Sequence, residues 1–144
     1  MYNRAKLDQT LAEETKRCRA AGLVVSIALL DIDHFKAVND TWGHQVGDDT
    51  LVAIARVLTQ CLSNPCRVGR WSGEEFMLIC PEQTLEQITD FAQSVRAAIA
   101  NHRFQTVQHI TVSIGVAVLR DDENMHSLVS RSAGQPVRLC SLSR

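Results

Sequence analysis

The feature that most constrains the fold of this chain is an acidic pair, Glu74-Glu75, which follows a Ser-Gly pair and lies between two strand-like runs. A short run, residues 67–70, comes before it, and an apolar run, residues 76–80, comes after it. Because Gly gives the backbone the freedom that a tight turn needs, this pattern predicts a β-hairpin over residues 66–80. Two adjacent carboxylates at a hairpin tip repel each other. This is unfavourable unless they meet a cation or take part in proton transfer. The sequence therefore predicts a partner for these acids elsewhere in the chain.

The most suitable partner is Asp31, at the end of a run rich in Val, Ile and Leu that predicts a buried strand over residues 23–31. If this strand and the hairpin are neighbours in one sheet, Asp31 and Glu74 converge. Carboxylate oxygens suit Mg²⁺ or Mn²⁺, which also bind phosphate groups. The alternative is that Asp31 caps the helix that follows it and that the acids at the tip form a solvated turn.

The remaining pattern predicts helices packed against a sheet. Apolar residues recur at helical spacing, Gly22 ends the first helix, and Thr84 with Gln87 forms a capping box at the start of the last one. Leu85 is expected on the inner side of that last helix. The predicted helices are residues 8–21, 35–39, 46–61 and 84–101, with a turn at 40–44 and a further strand at 108–119. This order predicts an α+β fold with a central, mainly antiparallel sheet flanked by helices.

Length and composition limit the classes of function. The chain has 144 residues, enough for one domain, and its formal net charge of −1 does not imply a basic surface for a nucleic-acid polymer, so no nucleic-acid partner is expected. Its five cysteines lack a Cys-x-x-Cys pair, so reduced thiols are expected rather than a disulfide framework or a zinc site. The longest apolar run is too short to span a bilayer, and the amino terminus lacks a signal-peptide pattern. We therefore expect a cytoplasmic protein.

Three blocks of sequence carry a resemblance to a known family. They are Leu-Asp-Ile-Asp-His-Phe-Lys-x-x-Asn-Asp at residues 30–40, Gly-His-x-x-Gly-Asp at 43–48 and Ser-Gly-Glu-Glu-Phe at 72–76. Their order and spacing resemble those of the GGDEF family of diguanylate cyclases, from residue 23 to about residue 118. The resemblance implies a fold like the palm of nucleotidyl cyclases and polymerases. It also implies a bacterial signalling enzyme that condenses two GTP into cyclic di-GMP and releases pyrophosphate, as a homodimer in which two GTP sites face each other.

The resemblance also implies a metal site. Asp31, Glu74 and the backbone carbonyl of Ile32 would hold Mg²⁺ or Mn²⁺, and Glu74 would also help to deprotonate the attacking 3′-hydroxyl. Glu75 would be either a second metal contact or a residue that modulates the charge. Asp33 either caps the following helix or takes part in catalysis.

The substrate would be bound by residues from several blocks. Lys36 and the backbone amides of Phe35 and Lys36 lie at a predicted helix start, which favours phosphate. Gly73 and Ser72 would lie near the phosphate and ribose. The family usually has Gly at position 72, and the added Cβ is costly only if the local φ is positive.

The guanine base would be read by Asn39 and Asp48. A carboxylate accepts from guanine N1–H and N2–H₂, and an amide can both donate and accept. The resemblance also assigns a substrate contact to His44. The alternatives are turn formation for Asn39 and helix capping for Asp48, which can hold at the same time.

The chain departs from the family in two further places. The Arg-x-x-Asp product-inhibition site of many members is replaced by Ser63 and Cys66, so we expect no such site here. Residues 120–144 contain Gly134 and Pro136 where the family has a helix, and our hypothesis is a frameshifted or truncated end. We thus divide the chain into a linker helix (1–22), a catalytic core (23–119) and an atypical end (120–144).

Two other functions stay open from the sequence. The first is a catalytically inactive GTP-binding or protein-interaction domain, which the altered carboxyl end favours. The second is a different palm-like nucleotidyl transferase, which the guanine-reading pair disfavours.

Overall fold

The computed structural model describes residues 1–119, which form helices and strands in an order close to the predicted one. The elements are α1 (Arg4–Ala21), β1 (Val25–Ile32), α2 (Phe35–Trp42), α3 (His44–Cys61), β2 (Arg67–Ser72), β3 (Glu75–Pro81), α4 (Leu85–Asn101) and β4 (Val112–Val118). The predicted hairpin is present as β2 and β3. The predictions for residues 120–144 lie outside the described residues.

The strands form one sheet in the order β2-β3-β1-β4, and each neighbouring pair is antiparallel. The central strand β1 places Asp31 opposite Glu75 of β3 on one side and opposite Ser113 of β4 on the other. The predicted α+β fold with an antiparallel sheet is therefore confirmed. So is the prediction that the strand carrying Asp31 adjoins the hairpin.

Both faces of the sheet are covered, which explains why β1 reads as a continuous apolar run. On one face, Ala28, Leu30 and Ile32 join a large core with α2, α3 and α4. On the other face, Val25, Ile27 and Leu29 pack against α1; the α1 side chains in this second core are Leu7, Leu11 and Cys18. Asp31 is the exposed exception in β1, where the strand passes beyond the cover of α1.

The ends of α1 and α4 follow from local chemistry. The Asn3 side chain accepts from the backbone N–H of Lys6 at 2.9 Å, and Gly22 ends α1 with a φ of 70°, which glycine adopts without strain. Thr84 and Gln87 form the predicted capping box at the start of α4.

Two local predictions are wrong. Residues 40–44 do not form a turn, because α2 continues to Trp42 and α3 begins at His44, with only Gly43 (φ 89°) between them. Leu85 is 46% exposed rather than turned inward, because it is the first residue of α4 and the buried residues of this helix begin one turn later, at Ile88.

The amino-terminal residues contact the hairpin through backbone hydrogen bonds and a cation–π interaction. The backbone N–H of Tyr2 donates to the Val68 carbonyl at 3.1 Å, and the N–H of Arg70 donates to the Tyr2 carbonyl at 2.9 Å. A Cβ at Gly69 would lie 2.5 Å from the Tyr2 carbonyl oxygen, so glycine is required for this approach. The Arg4 guanidinium lies 3.3 Å above the Trp71 ring, a favourable cation–π arrangement.

No helix within residues 1–119 is long and apolar enough to cross a membrane.

The packing of α1 yields a stability prediction. Leu11 is 1% exposed in the core beneath α1, so Leu11→Ala leaves a cavity and should lower the free energy of unfolding by about 2–5 kcal/mol. Urea unfolding followed by circular dichroism measures this. Glu13→Ala, on the exposed side of the same helix, is the control and should change it by about 0.5 kcal/mol or less. Equal small effects of both changes would show that α1 does not pack on the sheet in solution.

Candidate functional site

A groove of about 470 Å³ lies between the hairpin tip and the helices α2 and α3. It brings the α2–α3 helix pair together with the β2–β3 hairpin, which follows later in the sequence. The lining residues are Phe35, Asn39, Asp48, Leu51, Arg70, Ser72, Gly73, Glu74 and Glu75. The structure therefore unites the two predicted guanine-reading residues with the acidic tip.

The sharp break at Gly43 places Asn39 and Asp48 on the same wall. Asn39 lies in α2 and Asp48 lies in the second turn of α3, and these helices pack against each other through the core. Asn39 is half-buried, whereas Asp48 is exposed to solvent. An amide and a carboxylate thus face one groove, which is the combination that guanine recognition needs.

The hairpin tip is held by hydrogen bonds within it. Arg70 Nη2 donates to the Gly73 carbonyl at 2.6 Å, and its Nε lies 3.5 Å from the Ser72 carbonyl oxygen. The Ser72 hydroxyl donates to Glu75 Oε1 at 2.5 Å. Ser72 is not among the non-glycine residues with positive φ in the described chain, so its Cβ brings no backbone strain. The role of Arg70 was not predicted, because its guanidinium acts on the tip only after β2 and β3 have paired.

Asp31 lies beside the groove and is surrounded by negative charge. It is the cross-strand neighbour of Glu75, which lines the groove. The pKa of Asp31 is raised to about 6. Partial loss of hydration is the largest cause, and the nearby negative charges of Glu74, Glu75 and Asp33 add to it. No Lys or Arg within residues 1–119 forms an ion pair with Asp31, Glu74 or Glu75. The site therefore carries negative charge that a cation would balance.

The donor set fits a magnesium-like ion with few protein ligands. Among the described residues, no group of three or more His, Cys, Asp or Glu side chains is placed to hold a metal. Magnesium commonly uses one or two carboxylates and completes its shell with waters and substrate phosphates. Asp31 and Glu74, with the Ile32 carbonyl, match that requirement.

Asp33 has a structural partner that was not predicted. Its two carboxylate oxygens accept from the Thr111 hydroxyl at 2.7 Å and from the Ser113 hydroxyl at 2.6 Å. The N-cap of α2 is His34, with a φ of 59° and no side-chain cap bond. The predictions that Asp33 or Asp31 caps this helix are therefore wrong, and Asp33 instead ties the end of β1 to β4. A catalytic role for Asp33 stays a prediction.

Two predicted substrate contacts lie outside the groove lining. Lys36 is on the exposed side of α2, with its Nζ 3.6 Å from Asp40 Oδ2. His44 is exposed at the first residue of α3. The backbone amides of Phe35 and Lys36 are in the first turn of α2, as predicted for a phosphate-binding helix start.

Comparison with known proteins agrees with this geometry. The model of the family "Diguanylate cyclase, GGDEF domain" matches residues 1–135. The diguanylate cyclase VdcA of Vibrio cholerae is 40% identical over 120 residues, which covers 79% of this chain and 35% of that protein. The diguanylate cyclase DgcM of Escherichia coli is 39% identical over 106 residues, covering 74% of this chain and 26% of that protein. The chain thus spans about a quarter to a third of the length of these relatives.

Solved structures show the same fold. The diguanylate cyclase SiaD of Pseudomonas aeruginosa, in complex with its activator SiaC, superposes with a TM-score of 0.90 at 34% identity, over 99% of this chain and 56% of that chain. The GGDEF domain of DgcB from Caulobacter crescentus, in complex with c-di-GMP, superposes with a TM-score of 0.88 at 31% identity, over 93% and 80% of the two chains. The chain belongs to the GGDEF-domain family of diguanylate cyclases.

Proposed function

We propose that this chain binds GTP in the groove and, as a homodimer, condenses two GTP into cyclic di-GMP with release of pyrophosphate. The observation that carries the proposal is that a single groove holds Asn39, Asp48 and Glu74, with Asp31 next to it in the sheet. Relatives that match most of the chain bear the name diguanylate cyclase. A GGDEF domain of the same fold has c-di-GMP bound.

Guanine selection follows from the polar groups on the α2–α3 wall. The Asp48 carboxylate accepts hydrogen bonds from guanine N1–H and N2–H₂, whereas the amide of Asn39 donates to the O6 acceptor on the same base. Adenine offers neither N1–H nor N2–H₂ to Asp48, so it leaves this carboxylate unpaired. An unpaired polar group in a binding site weakens affinity, which favours GTP over ATP.

The triphosphate is bound at the start of α2. The backbone N–H groups of Phe35 and Lys36 have no partner within the first helical turn, and the helix dipole favours an anion there. Lys36 reaches a bound phosphate if its ammonium leaves Asp40, a surface ion pair of little energy.

Asp31, Glu74 and the Ile32 carbonyl would hold Mg²⁺ or Mn²⁺. When bound, such an ion neutralises phosphate charge and polarises the phosphoryl oxygens. Glu75 has one oxygen engaged by Ser72, which favours a role in modulating the charge of the site over a role as a metal ligand.

Glu74 is the proton acceptor in the proposed reaction. It accepts the proton of the 3′-hydroxyl, whose oxygen forms a bond to the α-phosphorus of the second GTP while the bond to pyrophosphate breaks. At the facing site the 3′-hydroxyl of the second GTP attacks the α-phosphorus of the first in the same way, and this second bond closes the cyclic dinucleotide. Two facing grooves are required because each groove supplies one nucleotide, and this makes the homodimer the catalytic unit.

The proposed base is tested by Glu74→Gln. This change keeps the shape of the side chain and removes the negative charge, so the rate of pyrophosphate release from GTP should fall by about 10²- to 10⁴-fold. Chromatography of the nucleotide product measures cyclic di-GMP directly. Glu86→Gln, on the exposed start of α4, is the matched control and should leave the rate unchanged.

The same assay decides between the proposed function and the inactive alternative. Full activity of Glu74→Gln would rule out Glu74 as the base. A wild-type protein that binds GTP with Mg²⁺ or Mn²⁺ yet forms no product would instead be a regulatory GTP-binding domain.

The raised pKa of Asp31 yields a pH prediction for the metal-free protein. The folded state binds the Asp31 proton more tightly than the unfolded state, in which the Asp pKa is 3.8. The stabilisation that comes from protonated Asp31 is therefore complete below pH 3.8 and is lost as the pH rises through about 6. Asp31→Asn should therefore stabilise the protein at pH 7.5 by about 1 kcal/mol, a value reduced for solvent screening of this exposed side chain, and have little effect at pH 4. Urea unfolding in EDTA at both pH values measures it.

Asp90→Asn, on the exposed side of α4, is the control and should show no such difference between the two pH values. Addition of excess Mg²⁺ at pH 7.5 should raise the melting temperature of the wild type and not that of Asp31→Asn, because a ligand that binds only the folded state stabilises it. Equal responses of both proteins to Mg²⁺ would show that Asp31 is not a ligand.

A further inference from the structure

Gly47 lies beneath the α2–α3 wall of the groove and contacts two of its lining residues. A Cβ at this position would overlap Asn39 Oδ1, would lie 3.0 Å from Asn39 Cγ and would lie 3.3 Å from Phe35 Cζ. Asn39 and Phe35 both line the groove. The bare backbone of Gly47 therefore provides the space that the Asn39 amide occupies.

The backbone conformation does not itself require glycine at this position. The glycines with positive φ in the described chain are Gly22 and Gly43, whereas Gly47 is helical and its N–H donates to the Gly43 carbonyl at 3.1 Å. Alanine is a better helix former than glycine, so a glycine inside a helix is unfavourable unless space demands it. Here the demand for space comes from the Asn39 side chain.

We propose that Gly47 is a positioning residue for base selection, which rests on the function proposed above. Because Asn39 Oδ1 lies against the Gly47 backbone, Nδ2 is the amide atom left to donate to a base in the groove that Asn39 lines. The groove then presents an N–H donor at Asn39 beside the acceptor Asp48. Guanine carries the acceptor O6 where adenine carries an amino donor at C6, so this arrangement selects guanine.

The Asn39 side chain, which occupies the space that a Cβ at Gly47 would need, is flexible. Asn39 can rotate about its side-chain bonds, so Gly47→Ala should fold with Asn39 turned away from its present position. The expected result is a protein with an equal or higher melting temperature and weaker base selection. A purely structural defect would instead lower the melting temperature and the affinity for every nucleotide.

The experiment uses the full chain with Mg²⁺ and the α,β-methylene analogues of GTP, ITP and ATP, which cannot release pyrophosphate. Calorimetry should show that Gly47→Ala weakens binding of the GTP and ITP analogues by the same factor, about 3- to 10-fold, because both keep O6. Binding of the ATP analogue should be unchanged. Asp48→Ala provides the contrast: it should weaken the GTP analogue more than the ITP analogue, which lacks N2–H₂.

A double-mutant cycle shows whether Gly47 acts through Asn39. Asn39→Ala alone should weaken GTP-analogue binding as Gly47→Ala does, and adding Gly47→Ala to it should cause less than about a 2-fold further loss. The Asn39 side-chain amide resonances, assigned by their disappearance in Asn39→Ala, should shift in Gly47→Ala without nucleotide.

Two outcomes overturn the inference while the proposed function stands. They are unchanged GTP-over-ATP preference in Gly47→Ala, and fully additive losses in the double variant. A wild-type protein that does not prefer the GTP analogue to the ATP analogue would instead overturn the proposed function, and the inference with it.

Discussion

The pairing of β1 with β3 is the constraint on which the site depends. It sets Asp31 opposite Glu75 and leaves Glu74 one residue away at the tip. Left to themselves, these like charges would move apart. They are held because Ile27 opposite Ile79 and Leu29 opposite Met77 bury their side chains under α1. A slip of one residue would exchange the side chains that fill the two cores. The apolar core thus holds together a cluster of carboxylates that a cation can use.

The groove is completed from the opposite side by the short connection between α2 and α3. With only Gly43 separating the helices, Asn39 and Asp48 face the tip from one wall, and Gly47 provides the space beneath Asn39. The tip is held independently, by Arg70 on its carbonyl groups and by the amino-terminal residues on β2. The predicted base-reading groups and the acidic groups are therefore carried by different elements and face each other across the groove.

Local patterns in the sequence were sufficient to predict the features that depend on neighbouring residues. The hairpin, the capping box of Thr84 and the end of α1 at Gly22 are all of this kind. The turn predicted at residues 40–44 was wrong because Asp, Thr and Gly favour turns, whereas burial of Phe35 and Val38 beside α3 keeps α2 helical through Trp42. The partners of Asp33 lie in a strand far along the chain, and the contact of Gly47 with Asn39 joins two helices, so no local pattern predicts them. The hydrogen bonds of Arg70 are local, but they depend on the conformation of the hairpin tip.

Ser72 shows how one hydroxyl can change the charge balance of the tip. It lies at the end of β2 with an unstrained backbone, so a serine at this position requires no rearrangement of the hairpin. Its hydroxyl donates to Glu75 Oε1 and thereby spreads the negative charge of that carboxylate. One Glu75 oxygen is then less available to a metal, whereas Glu74 has no such donor among the side-chain hydrogen bonds of the described chain. The serine thus favours the proposal that Glu74 binds the cation and that Glu75 modulates the electrostatic potential around it.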